Sequence, residues 1–120
     1  MNSVQTTHKT VSGQALKSRL GEVLTVNPGQ RAEFTLEDLV GLVQPQNREE
    51  LTLALGNLVR TGKIKRVIRV ISPKTGGGIG DYESLNEIPN VLDDSRQGVE
   101  FVVTPEDLRV IYVVPAQNVA

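Results

Sequence analysis

From Phe34 to Arg69 the chain reads FTLEDLVGLVQPQNREELTLALGNLVRTGKIKRVIR, and this stretch leaves few options for what surrounds it. Thr35 is placed to cap a helix, Asp38 stands where a carboxylate reaches back to that cap, and Phe34 and Leu39 have the spacing of a hydrophobic staple. Leu36, Leu39, Val40 and Val43 then follow the helical period. Gln44-Pro45-Gln46 stops this helix, because a proline disfavours helical geometry in the residue before it. Asn47 starts another, with Glu50 at the capping-box position. Leu51, Ala54, Leu55, Leu58 and Val59 make one stripe along it, and Gly62 ends it. The pattern then switches to a strand, with Ile64, Val67, Ile68, Val70 and Ile71 interleaved with Lys65, Arg66 and Arg69. Two helices across so short a turn, the second running into a basic strand, must share one core.

Either side of this stretch the signals are simpler. Residues 1–11 are polar and lack periodicity, and a frayed tail is expected. Ser12 is placed to cap a first helix over residues 13–24, with Ala15, Leu16, Leu20, Val23 and Leu24 on one face. Asn27-Pro28-Gly29 is a turn, and Gln30 to Phe34 a short extended segment. After the basic strand, Ser72-Pro73 stops the pairing and Lys74 to Gly80 reads as a flexible tip. Ser84-Leu85-Asn86-Glu87 has the form of a capping box on one helical turn, halted by Pro89. Asp93 to Gly98 is a polar turn. Val99 to Val103 and Leu108 to Val114 are strands flanking a turn at Thr104-Pro105-Glu106-Asp107. Leu108 to Val114 is core if central and a sticky surface if an edge, so a homodimer stays open as a way of covering it. The tail resumes at Pro115 and runs through residue 120.

At 120 residues the chain suits one domain with a modest core. Only four residues are Phe or Tyr and none is Trp, so that core is aliphatic. With no cysteine, a disulfide framework and a thiolate metal site are excluded. The N-terminal MNSVQTTHKT carries no apolar run suited to a signal peptide, and no stretch has membrane length, so the expected location is the cytoplasm. The net charge of −1 hides a segregation: residues 1–74 carry eleven Lys or Arg against six Asp or Glu, whereas residues 75–120 carry two against eight. The halves balance at +5 and −6. Such separation points to a polyanionic partner, or to an acidic half folded over a basic one.

No constellation of residues offers catalysis. His8, the single histidine, lies in the tail. KTGGGIG has its Lys74-Thr75 before the glycines rather than after them, and Asp81 follows, which rules against a phosphate-binding loop. The acidic pairs Asp93-Asp94 and Glu106-Asp107 sit in turns, where carboxylates cap or solvate, and no loop has calcium-binding spacing. No enzyme activity, cofactor or metal is expected.

Residues 12 to 71, chiefly LGNLVRTGKIKR, resemble the winged-helix (winged helix-turn-helix) superfamily. The segment GDYESLNEIPNVLDD…GVEFVVTPEDLRVIYVV is similar to small winged-helix components of bacterial multi-protein assemblies, defence-type systems among them. The resemblance implies an α+β fold: three helices and a small antiparallel sheet over residues 12–114, with an extended wing connection at 63–114. Two functions follow from it. In the first the chain is a protein-interaction adaptor in a bacterial assembly, using Leu53, Gly56 and Asn57 of the third helix and the acidic wing connection from Asp81 to Asp94. In the second it is a transcription regulator bound to double-stranded DNA. Arg48, Thr52, Asn57 and Arg60 then meet bases or phosphates, and Lys63, Lys65, Arg66, Arg69 and Lys74 lie on the backbone. Glu49 at the start of the third helix repels phosphate, the overall pI is about 5.8 and the wing is unusual; no aromatic residue interleaves the cations for stacking on single-stranded bases. Glu100, Glu106 and Asp107 are the carboxylates expected to neutralise the basic strand should it face them. These features favour the adaptor, with the DNA regulator as the alternative.

Overall fold

A computed structural model describes residues 10–25, 29–94 and 98–116. The fold is α+β. The elements run α1 (Gly13–Leu24), β1 (Ala32–Thr35), α2 (Leu36–Val43), α3 (Arg48–Arg60), β2 (Lys65–Ile71), β3 (Gly78–Tyr82), β4 (Val91–Asp94), β5 (Val99–Val102) and β6 (Leu108–Val114), with single 3-10 turns at Leu85–Glu87 and Pro105–Asp107. The strands form a four-stranded antiparallel sheet in the order β1-β6-β2-β3 and a separate two-stranded β4-β5 hairpin.

The local signals that start α2 and end α2 and α3 act as their chemistry dictates. Thr35 Oγ1 accepts from the Asp38 N–H at 3.0 Å while Asp38 Oδ2 accepts from the Thr35 N–H at 2.9 Å, a complete capping box. Gln44 closes α2 in the left-handed region (φ 56°), and its N–H reaches the Val40 carbonyl. Gly62 adopts φ 78°, and the N–H groups of Gly62 and Lys63 bond the carbonyls of Val59 and Leu58, the Schellman arrangement that ends α3. Only glycine takes that φ without strain.

Strand alternation puts Ala32, Phe34, Tyr112 and Val114 on the sheet face that meets the helices. There they join Leu16, Leu20 and Leu24 of α1, Leu39 and Val43 of α2, Leu51 and Leu55 of α3, and Ile64 in one core. Leu39, Leu51 and Leu55 are wholly inaccessible, and burying each contributes about 1.5–3 kcal/mol. On the opposite face Val67, Ile111 and Val113 form a second, small cluster. It is flanked by Lys65 and Arg69, which share that face.

Several expectations need correction. Val11, read as tail, is buried, and it exchanges hydrogen bonds with Gln44 and Gln46 at the turn between α2 and α3. Ala15, read as core, is exposed on α1. The Ser12 side chain makes no cap; the first N–H of α1, that of Gly13, goes instead to Glu50 Oε2 at 2.7 Å. Engaged there, Glu50 does not close a capping box with Asn47, whose Oδ1 accepts from the Glu49 N–H at 2.8 Å. The supposed flexible tip is ordered in its second half: Gly78 and Gly80 belong to β3. Asp93 and Asp94 are in β4, not a turn. Glu87 accepts from the Glu83 N–H rather than from Ser84. β6 is central between β1 and β2 and so supplies no sticky edge; its second half, residues 111–114, is buried, whereas Arg109 and Val110 are exposed. His8, Asn27, Pro28, most of the N-terminal tail, residues 95–97 of the supposed polar turn and the last residues of the C-terminal tail lie outside the described residues.

Candidate interaction surface

α3 is held against the core by Leu51 and Leu55, so the helical period turns Arg48, Glu49, Thr52, Leu53, Asn57 and Arg60 outward, all exposed, with Gly56 half-buried beside them. Leu53 stands out at 71% exposure. The polar residues around it are occupied within the chain. Arg48 is paired with Glu37 of α2, the Arg60 guanidinium donates to Asn57 Oδ1, and Thr52 Oγ1 donates to the Arg48 carbonyl at 3.1 Å.

The basic strand divides in two. Arg69 is clamped: its guanidinium donates to both Asp81 oxygens at 2.7 and 2.9 Å and both Glu33 oxygens at 2.8 and 3.0 Å. The hydrogen bonds from Arg69 hold the Glu33 and Asp81 carboxyls below the usual carboxylate range, and the two carboxylates raise Arg69 in turn. Lys65 Nζ pairs with Glu83 at 3.2 Å. Among the described residues Lys63, Arg66 and Lys74 make no ion pair, and all three are exposed. The carboxylates expected to neutralise this strand are elsewhere. Asp107 caps Thr104, Glu100 sits on β5 opposite Asp93, and Glu106 is exposed. β1 and β3 flank the β2-β6 pair, so their carboxylates, Glu33 and Asp81, do the work instead. Glu33 lies directly beside Val113 in register, and Asp81 beside Arg69. The segment Ala-Glu-Phe-Thr did carry a sign of this, a lone acid alternating with apolar residues in an extended stretch.

Sequence reasoning also missed the buried pair that fastens the hairpin. Ser72 and Asp94 are 3% and 5% exposed, and Ser72 Oγ donates to Asp94 Oδ2 at 2.6 Å. The same hydroxyl accepts from the Lys74 and Thr75 N–H groups at 3.2 and 3.3 Å. The turn after β2 is thereby tied to β4, and the glycine-rich loop uses its N–H groups internally. Gly76 bonds the Ser72 carbonyl, and Gly77 bonds Thr75 Oγ1.

Among the described residues no group of three or more His, Cys, Asp or Glu is placed to hold a metal ion, and no helix is long and apolar enough to cross a membrane. Comparison of the chain with protein-family models, with curated proteins and with solved structures gives no match.

Proposed function

We propose that this chain is a non-enzymatic winged-helix binding module that serves as a protein-interaction adaptor in a bacterial multi-component assembly, with α3 as its contact helix. The winged-helix reading is supported by the element order and by the pairing of β6 with both β1 and β2, residues 72–107 then being an enlarged wing. The adaptor reading rests on one observation above others: the outward face of α3 presents a bare Leu53 among cations that already have partners. A phosphate-binding helix needs the reverse. Arg69 and Lys65, two of the five wing cations assigned to a DNA backbone, are likewise taken by carboxylates.

The test is fluorescence anisotropy of random duplex DNA titrated with the protein at low and at physiological salt, alongside recovery of a partner by wild type and by Leu53→Asp. The adaptor predicts little DNA binding at either salt, and loss of the partner in Leu53→Asp with an unchanged circular dichroism spectrum. Steeply salt-dependent DNA binding, or a partner retained by Leu53→Asp, overturns it. The free cations Lys63, Arg66 and Lys74 favour the second reading, a DNA-binding regulator. They amount to three phosphate contacts, which predicts a slope of log affinity against log salt of about −2.7.

A further inference from the structure

The helices cover only part of the sheet. Past Tyr112, the same face continues through Ile68 and Val110 into a groove of about 420 Å³ bounded by Leu36 and Leu85, with Arg66 at its rim. Val110 is 43% exposed although its strand is central, and Leu85 is 64% exposed. A half-open apolar floor in the middle of a sheet is unusual unless something covers it. Glu83 also lines the groove, but it is paired with Lys65, which leaves Arg66 as the free charge there.

The β4-β5 hairpin has the complementary character. Its register pairs Val91 with Val102 and Asp93 with Glu100, and alternation sets these four on one face, away from the buried Asp94. Val91 and Val102 are 48% and 67% exposed. Asp93 and Glu100 are exposed carboxylates directly across from each other, an arrangement that is unfavourable without a cation between them. The apolar pair and the acidic pair lie two residues apart, about 7 Å along the strands.

We infer that the groove beside Arg66 receives the β4-β5 hairpin of a second copy of this chain, Val91 and Val102 seated over Ile68, Val110 and Leu85, and Asp93 and Glu100 meeting Arg66. Charge supports a copy of the chain as occupant. The C-terminal half carries −6 against +5 in the N-terminal half, yet among the described residues only Asp81 and Glu83 of that acidic half pair with cations of the basic half. The folded chain thus keeps opposite charges apart on a body measuring 60 × 40 × 23 Å, and association brings them together. The contact does not involve α3, so it stands or falls apart from the adaptor reading.

Sedimentation velocity at protein concentrations up to about 1 mM, in low and in high salt, tests this. Wild type is expected to self-associate with rising concentration at low salt and to dissociate in high salt. Arg66→Glu alone, and Asp93→Lys with Glu100→Lys in one chain, are each expected to be monomeric, with dissociation constants raised about tenfold or more. Mixing these two variants restores assembly, since each groove then faces a hairpin of opposite charge. Leu53→Asp assembles like wild type. A wild-type chain that stays monomeric overturns the inference, as does assembly indifferent to Arg66→Glu, a mixture that fails to reassemble, or assembly lost in Leu53→Asp. So does a monomeric chain whose Arg66 serves only to bind duplex DNA.

Discussion

Glu50 shows how one residue can be right in kind and wrong in partner. Its position three residues after Asn47 is that of a capping box, yet its carboxylate leaves its own helix and accepts from the Gly13 N–H at 2.7 Å, 37 residues away in the chain. The exchange is favourable because the start of α1 lacks another cap: the Ser12 side chain makes none, and there is no acidic residue in the first turn of α1. A carboxylate at a helix start satisfies an orphan N–H and opposes the positive end of the helix dipole. Glu50→Ala is therefore expected to cost about 1 kcal/mol, the usual worth of a cap, and to loosen α1 from α3, whereas Ser12→Ala is close to neutral. Urea unfolding of the two variants measures the difference. An equal loss in both would return the cap to Ser12.

At the scale of elements, what could be read beforehand was whatever is decided within a few residues. The capping box of Thr35 and Asp38, the stop at Pro45, the glycine end of α3 and the span of β6 are short-range chemistry, and each stands in the sequence. β3 was missed because Gly78-Ile79-Gly80 looks like a loop on propensity alone. Close approach explains those glycines. A Cβ on Gly78 would lie 2.9 Å from Arg69 Cδ, and one on Gly80 would lie 3.2 Å from the Tyr82 hydroxyl. Arg69 has no room to yield, since its guanidinium is clamped by Glu33 and Asp81 on the two edge strands. Gly78→Ala should thus destabilise by about 1 kcal/mol in wild type and by much less when Arg69 is also alanine, a coupling that a double-mutant cycle measures. The candidate surface was legible to the same degree. The outward face of α3 follows from helical period, but which cations are already paired depends on strand order, and no local pattern encodes that.

At the scale of the molecule the chain has two parts joined by few interactions. The helices, the four-stranded sheet and their shared aliphatic core form one, and the β4-β5 hairpin with its flanking turns forms the other. The Ser72–Asp94 bond joins them, at 2.6 Å and with both side chains buried. Inside protein such a bond matters mostly through what its loss leaves behind: Ser72→Ala would strand a buried carboxylate, at a cost of about 1–3 kcal/mol. That cost falls on the hairpin rather than on the core, because Leu39, Leu51 and Leu55 pack elsewhere. Local opening below the global unfolding free energy is the expected result. In native-state hydrogen exchange, Ser72→Ala should speed exchange at the paired N–H groups of β4 and β5 and leave those of β2 and β6 near wild type. Uniform acceleration across all four strands would mean that hairpin and core unfold as a single cooperative unit.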